Sequence, residues 1–175
     1  MQVEIIPEWQ LAPADDRQIA ALLSRCFDTD FGNRSFFMQR PHLRLFLRDG
    51  AKIVGHMAMT FRAARLGEHL IHVVGLCDVA TAPDHRGKGH ASTLLQAAVV
   101  QARQSPADYF LLFGVASLYA AAGFCNTANP LIFVDMQGAN TGAVKQEPAQ
   151  SLMVLSLNDK IWDQAAPLDM LGPLF

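Results

Sequence analysis

A glycine-containing stretch near the middle of the chain has the residue types of an anion-binding turn. An apolar run at residues 79–83 favours a strand, and a helical pattern begins near Gly89. Between them, Gly87 and Gly89 let the backbone approach a ligand without a Cβ in the way. The unpaired N–H groups of the first helical turn, with Arg86 and Lys88 beside them, favour a phosphate or pyrophosphate. The stretch therefore predicts a strand, a phosphate-binding turn and a helix start.

The spacing within this turn excludes two common phosphate motifs and matches a third pattern. A Walker loop and a three-glycine dinucleotide fingerprint both require spacings that are absent here. The pattern Arg86-x-x-Gly89-x-Ala91 instead resembles the acyl-CoA signature of the GNAT superfamily of N-acetyltransferases, and residues 79–87 resemble the strand that precedes it. The resemblance implies that the acyl donor is acetyl-CoA and that this turn binds it.

The resemblance assigns two groups of cofactor-binding residues. The pyrophosphate of acetyl-CoA would lie on the backbone amides of Arg86, Gly87, Lys88, Gly89, His90 and Ala91. The pantetheine arm would hydrogen-bond, in the manner of an added strand, to Val79, Ala80 and Thr81. The alternative is a generic glycine-containing loop between a strand and a helix.

A second segment, residues 114–124, is an alanine-rich helical pattern with Gly123 near its end. Its sequence Leu118-Tyr119-x-x-x-Gly123-Phe124 resembles the segment that follows the fifth strand in the same superfamily. The resemblance implies that Tyr119 is the general acid for the departing CoA thiolate, because a phenol with an ordinary pKa near ~10 stays protonated at neutral pH. The alternative is a tyrosine ring that only packs beneath the helix.

The general base is the point at which the sequence departs from the family pattern. Cys77 stands where several members of the superfamily carry Glu or Asp. Asp78 follows it, and strand alternation turns Asp78 away from the site unless a β-bulge re-aims it. We name Asp78 and Tyr119 as the candidate catalytic residues. The alternatives are a Cys77 nucleophile, which lacks a paired histidine, and a solvent-relayed proton with His56 and His72 within reach of a water chain.

Candidate acceptor contacts lie near both ends of the chain. Asp28 and Asp30 could attract a cationic acceptor, although acids that flank a loop are usually only solvated. The apolar C-terminal stretch is similar to the ends of the aminoglycoside 2′-acetyltransferases and of the nodulation-type acyltransferase NodA. That likeness implies Asp169 and the carboxylate of Phe175 as acceptor contacts. The alternative is an apolar tail that only docks on the core.

Composition limits the functional classes. The chain has 175 residues, is 51% apolar and carries a net charge of −2, so we expect one domain spanning residues 1–175 and neither a nucleic-acid nor a membrane partner. Its three cysteines have no paired short spacing, which argues against a disulfide framework and against a metal site. With no signal-peptide pattern, we expect a cytoplasmic protein. Dimers are common in the resembled superfamily, and the apolar tail is compatible with a homodimer.

The pattern of the whole chain predicts a mixed α/β fold. Strands are predicted at residues 3–6, 42–48, 51–62, 69–82, 108–113, 131–136 and 151–157. Helices are predicted from Pro13 and at residues 34–40, 89–104 and 114–124, with a mobile loop at residues 137–148. The strand, helix and strand within residues 69–113 predict parallel fourth and fifth strands. The resemblance implies the GNAT fold, a mostly antiparallel sheet of about seven strands with the fourth and fifth splayed, flanked by about four helices.

These features predict an acyl-CoA-dependent N-acyltransferase that moves acetyl from acetyl-CoA directly to a primary amine of a small molecule. Two alternatives stay open. The absence of an acid at Cys77 is compatible with a CoA-binding regulatory module that has lost catalysis. The likeness to NodA is compatible with a longer-chain or hydroxyl-directed acyltransferase.

Overall fold

A long antiparallel hairpin forms the centre of the sheet in the computed structural model, which describes residues 1–114 and 117–175. Its strands are β3 (Lys52–Leu66) and β4 (His69–Thr81), joined at Gly67 with a positive φ of 58°. The other strands are β1 (Glu4–Pro7), β2 (Leu43–Asp49), β5 (Tyr109–Phe113), β6 (Cys125–Thr127), β7 (Pro130–Gln137), β8 (Asn140–Pro148), β9 (Leu152–Ser156) and β10 (Leu168–Asp169). The α-helices of the described residues are α1 (Pro13–Cys26), α2 (His90–Gln104) and α3 (Ser117–Ala121).

The sheet order is β6-β9-β5-β4-β3-β10-β7-β8, and β2 pairs with both β1 and β3. β4 and β5 are the parallel pair that the sequence predicts, with α2 as the crossover between them. Their ladder ends at Leu76 and Leu112, whereas β4 runs on to Thr81 against β3. The two strands therefore separate toward their carboxyl ends, which confirms the predicted mixed sheet and opens a cleft between them.

The two faces of the sheet carry separate apolar cores. On one face, Ile19 and Leu23 of α1 and Leu94 and Leu95 of α2 are almost completely buried. Such burial drives the amphipathic helices onto the sheet. On the other face, the core combines β4, β5, β7 and β10 and includes Leu168 at 0% exposure. The apolar tail therefore docks on the sheet, in agreement with its apolar sequence.

Two segments differ from the sequence prediction. Residues 34–40 form bends and no helix, and their side chains go to partners in other segments, with the buried Ser35 bonded to Asp16 and Arg40 paired to Glu8. Residues 140–148 form β8, a fully exposed strand that pairs with β7, where a loop was predicted. The described residues thus form a sheet of ten strands with three α-helices, compared with about seven and about four expected.

The segment after β5 is only partly described. α3 begins at Ser117, and residues 115–116 of the helix predicted at 114–124 lie outside the described residues. α3 ends at Ala121, and Gly123 follows it with a φ of 93°. In the described parts of the chain, no helix is both long enough and apolar enough to cross a membrane.

Candidate active site

A β-bulge in β4 places Asp78 at the start of the cleft. His56 pairs with Ala80 and Ala58 pairs with Cys77, so Asp78 and Val79 together oppose a single residue of β3. Asp78 has a positive φ of 50°, which Asp tolerates better than most side chains. Because the extra residue breaks the strand alternation, Asp78 is turned into the cleft between β4 and β5. The sequence analysis required a β-bulge for Asp78 to face the site, and the structure contains that bulge.

A buried histidine holds this bulge. His56 is completely buried and its pKa is lowered to about 3 by burial and by the nearby charge of Arg44, so its ring is neutral. Nδ1 of His56 donates to the backbone oxygen of Asp78 at 2.8 Å, which leaves Nε2 to accept from Nη1 of Arg44 at 3.3 Å. Arg44 in turn pairs with Glu8, with 2.6 Å between Nε and Oε2. Both ring nitrogens are therefore engaged, so His56 positions the bulge and is not placed to relay a proton.

The first cavity lies in the cleft between β4 and β5 and has a volume of about 320 Å³. Asp78 and Tyr119 both line it, so the structure brings the two candidate catalytic residues to one space. Its walls are largely aromatic and include Phe27, Phe31, Phe37, Phe113 and Phe175. Neighbouring aromatic rings pack at a tilt along one wall, with 5.4 Å between the centroids of Phe31 and Phe37 and 55° between their planes. The cavity is thus an apolar space with a carboxyl and a phenol in its lining.

Burial raises the pKa values of the three titratable side chains that line this cavity. It raises the pKa of Asp78 to about 6, with the charge of Arg44 opposing the shift. It also raises the pKa of Tyr119, so the phenol keeps its proton at neutral pH. The pKa of the Cys77 thiol is raised well above its ordinary value by burial, and its Sγ lies 3.7 Å from the carbonyl oxygen of Ala58. A carboxyl group whose pKa lies near neutral pH can act as a base, whereas a protonated thiol is a poor nucleophile.

The glycine-containing turn leaves open space beside its backbone. Gly87 and Gly89 have positive φ values of 74° and 79°, and a Cβ built on either would meet no atom of the described residues within 4 Å. Gly89 is the N-cap of the 15-residue helix α2, and no side chain in the described part of the chain caps that end. Nζ of Lys88 lies 3.1 Å from the carbonyl oxygen of Asp84, so this cation is held beside the turn. Exposed amides, a helix N-terminus and a cation together form a site suited to a phosphate.

The other predicted donor-binding residues connect the turn to the cleft. Val79 lines the first cavity, Ala80 is buried, and the carbonyl oxygen of Thr81 accepts from Nε of Arg86 at 3.3 Å. His90 and Ala91 form the first residues of α2. The predicted donor-binding residues thus run along one continuous path from the helix end to the cavity. No group of three or more His, Cys, Asp or Glu side chains in the described residues could hold a metal ion.

A second cavity of about 360 Å³ adjoins the first. Phe37, Cys77, Asp78 and Phe175 line both, so Asp78 has access to either side. The ring of Phe175 stands over Gly75, where the missing side chain leaves room for it. The second cavity continues along β3 and adds polar groups to its lining, among them Arg62.

Several candidate residues from the sequence lie outside both cavities. His72 is exposed, pairs with Ala63 far along β4 from the bulge, and stacks on Phe61. Asp30 accepts from the backbone of Gly32, and Asp169 accepts from that of Leu171, so both carboxylates serve local turns. Asp28 lines neither cavity, although Thr29 lines the first.

Sequence reasoning missed the buried polar residues of β2 and β3. Arg44 is completely buried beside Glu8 and Ser35, and Thr60 and Arg62 line the second cavity. The available signal was an arginine inside a strand-like apolar run, since such a charge must have a partner or a cavity.

The fold and this site define a CoA-type acetyltransferase architecture, and a family comparison agrees. A model of the acetyltransferase (GNAT) domain family matches residues 10–125, more than half of the chain. The chain therefore belongs to the GNAT acetyltransferase family. No curated protein matches it.

Solved structures of the same fold come from several bacteria. The GNAT family N-acetyltransferase YhbS from Escherichia coli, in complex with CoA, has a TM-score of 0.65 at 20% identity and covers 96% of this chain and 89% of its own. A GNAT acetyltransferase from Brucella melitensis, in complex with acetyl-CoA, has a TM-score of 0.62 at 15% identity over 95% of each chain. The ribosomal-protein-S18-alanine N-acetyltransferase from Escherichia coli has a TM-score of 0.59 at 15% identity and covers 93% of this chain and 100% of its own. At these identities the likeness concerns the fold.

Proposed function

We propose that this protein transfers an acetyl group from acetyl-CoA directly to a primary amine of a small molecule. The observation that carries the proposal is that Asp78 and Tyr119 line one cavity, at the end of the strand that leads into the Gly87–Gly89 turn. Membership of the GNAT family supports acetyl transfer. The relatives from Escherichia coli and Brucella melitensis contain CoA and acetyl-CoA, which supports the choice of donor.

The donor would lie along the path from the turn to the cleft. We assign its pyrophosphate to the backbone of Arg86, Gly87, Lys88, Gly89, His90 and Ala91, because open space lies beside Gly87 and Gly89 and α2 begins there. The N–H of Arg86 donates to the carbonyl oxygen of Pro83 and would have to exchange that partner. The separation of β5 from β4 leaves Val79, Ala80 and Thr81 without a strand on that side, so the pantetheine arm can pair there as an added strand. This arrangement brings the thioester into the first cavity beside Tyr119.

The chemistry needs two protons removed from the acceptor nitrogen and one supplied to the leaving thiolate. An acceptor ammonium loses a proton to the Asp78 carboxylate, and the free amine attacks the thioester carbonyl. A C–N bond forms as the C–S bond breaks. The departing thiolate takes a proton from the hydroxyl of Tyr119, whose pKa is raised by burial, and the second proton of the nitrogen restores that hydroxyl. Removal of the first proton through solvent is the alternative for the base, and the two are separated by the pH dependence of an Asp78 variant.

A longer acyl group is the second candidate, and the lining of the first cavity favours it. Five phenylalanine rings line this space, which is more apolar wall than an acetyl group needs. Competition between acetyl-CoA, butyryl-CoA and octanoyl-CoA decides between the two. We expect acetyl-CoA to give the highest kcat/KM, and a maximum at octanoyl-CoA would assign the protein to the longer-chain class.

The direct test is turnover with a panel of small primary amines. We expect CoA thiol to be released only when an amine is present, with the acetylated amine identified by mass spectrometry. Burst kinetics without an amine would indicate a covalent acyl-enzyme and contradict direct transfer. Tight acetyl-CoA binding with no turnover on any amine would favour the regulatory module that has lost catalysis.

A further inference from the structure

The second cavity is lined by two residues with buried polar atoms that have no partner among the residues that the structure describes. Oγ1 of Thr60 and Nε of Arg62 are inaccessible to solvent and make no hydrogen bond to any of those residues. Their residues lie two apart on β3, so their side chains share one face of the sheet, and both line the same cavity of about 360 Å³. A buried donor without a partner costs free energy, typically about 1–3 kcal/mol, unless a ligand satisfies it. Two such groups in one cavity point to a polar ligand.

The Arg62 side chain is held in place by neutral groups. Its Nη2 donates to the carbonyl oxygen of Pro173, and its guanidinium lies 4.6 Å from the centre of the Phe175 ring. The structure gives it no carboxylate partner among the residues that it describes, whereas Arg40, Arg44 and Arg48 each pair with acids. Burial lowers the pKa of Arg62 to about 10, so the group keeps its charge at neutral pH. Arg62 is thus an oriented cation at the wall of a cavity, with no acidic side chain paired to it in the described part of the chain.

The cavity carries opposite charges in its lining. Asp78 lines both cavities, and Arg62 lies on β3 opposite Val73, which comes five residues before Asp78 on β4. Leu174 and the Phe175 ring add apolar surface to the same lining. A ligand that carries an ammonium and a carboxylate matches both charged groups, and a simple amine matches only one.

We infer that the acceptor is an amine that also bears a carboxylate, of the free amino-acid type, and that Arg62 and Thr60 bind this carboxylate while the amine faces Asp78. The inference rests on the proposed function. Arginine suits the role because its planar N–H groups match the two oxygens of a carboxylate.

Matched acceptors test this assignment. L-leucine is compared with L-leucinamide and isopentylamine, and L-phenylalanine with L-phenylalaninamide and phenethylamine. Compared with the amino acid, the amide has a less basic amino group and the decarboxylated amine a more basic one. A preference for the amino acid over both compounds therefore cannot come from basicity and indicates recognition of the carboxylate. We expect kcat/KM to be at least about 10-fold higher for the acids. Equal rates with and without the carboxylate would overturn the inference.

Substitutions of Arg62 and Thr60 test whether these side chains bind the carboxylate of the acceptor. Arg62→Gln is expected to lower kcat/KM for the acids by about 10- to 100-fold, mainly through KM, and to leave the decarboxylated amines unchanged. Thr60→Val, which keeps the side-chain shape, is expected to lower it by about 5-fold. Arg65→Gln is the control, because Arg65 is an exposed arginine of the same strand. An equal loss on acids and amines in Arg62→Gln would show a purely structural role and contradict the assignment.

Binding measurements separate this inference from the proposed function. Calorimetric titration of the protein with acetyl-CoA reports the donor site alone, and we expect Arg62→Gln to bind acetyl-CoA as the unaltered chain does. Titration with L-leucine and with isopentylamine, each in the presence of CoA, reports the second cavity alone. Donor binding with no preference for L-leucine would overturn the inference only. Failure to bind acetyl-CoA would overturn the proposed function, and preferential binding of L-leucine would still support the carboxylate site.

Discussion

Nδ1 of His56 lies 2.8 Å from the backbone carbonyl oxygen of Asp78, and this bond ties the centre of the sheet to the β-bulge. His56 is itself fixed by Arg44, which pairs with Glu8. The bond uses the backbone oxygen of Asp78 and not its carboxylate. A buried, neutral imidazole therefore holds the bulge, and the carboxylate of Asp78 can exchange a proton in the cleft.

Replacement of Asp78 tests its role as base. If its carboxylate accepts the acceptor's proton, kcat/KM rises as the pH increases through about 6, because only the ionised form is a base. Asp78→Asn is expected to lower kcat/KM by about 100-fold and to remove this rise, while Asn tolerates the positive φ. The exposed Asp159→Asn serves as the control. An unchanged rate in Asp78→Asn would favour a solvent-relayed proton.

The same variant has a predicted effect on stability. The folded pKa of Asp78, about 6, lies above the ordinary value of 3.8, so the folded state binds more protons than the unfolded state between these values. Stability therefore falls as the pH rises from about 4 to about 6. Asp78→Asn is expected to raise the free energy of unfolding by up to about 3 kcal/mol at pH 8, with the gain vanishing below about pH 4. Urea unfolding at both pH values measures this, and a destabilised variant at pH 8 would contradict the buried-charge argument.

Tyr119 is expected to act on the chemical step alone. Tyr119→Phe keeps the ring and removes the hydroxyl, so kcat should fall by about 10- to 100-fold with little change in acetyl-CoA affinity. Tyr109→Phe is the matched control, since it is the other tyrosine of the chain and its hydroxyl bonds to the carbonyl of Ile161 outside the cleft. Equal kcat values for the two variants would assign Tyr119 a packing role.

Gly75 and Phe175 are predicted to be energetically coupled. A Cβ on residue 75 would overlap the ring of Phe175, a residue that lines both cavities. Gly75→Ala is expected to destabilise the protein by about 1–3 kcal/mol, because the ring must move. In Phe175→Ala the same glycine substitution should cost at least about 1 kcal/mol less, a difference that a double-mutant cycle measures by chemical unfolding. Additive effects would show that the ring does not stand over Gly75 in solution.

The elements that could be predicted from the sequence are those with local signals. The hairpin at residues 49–50, the strand and helix around Gly89 and the parallel pair β4 and β5 follow from turn residues and hydrophobic period. β8 carries no such signal, because all nine of its residues are exposed and its strand conformation depends on pairing with β7. The helix predicted at residues 34–40 fails because the contacts of Ser35 with Asp16 and of Arg40 with Glu8 outweigh local propensity.

The residues of the candidate site also fall into two groups, those in contiguous sequence motifs and those that only the fold brings together. The turn glycines and Tyr119 belong to motifs contiguous in sequence, so they could be named at once. The orientation of Asp78 depends on a two-to-one register against β3, which only the paired strands reveal. The second cavity depends on Arg62 and Phe175, which are 113 positions apart and meet only in the folded chain. Their role could not be predicted from spacing.

The most direct test of acetyl-CoA binding at the glycine turn is calorimetric titration of three proteins with acetyl-CoA. These are the unaltered chain, Gly89→Glu and Gly67→Glu, where Gly67 is a matched positive-φ glycine at the far end of the β3–β4 hairpin. We predict micromolar binding by the unaltered chain and by Gly67→Glu, and at least about 100-fold weaker binding by Gly89→Glu, because its carboxylate enters the anion site. Equal binding by all three proteins would contradict the assignment of this turn as the donor site.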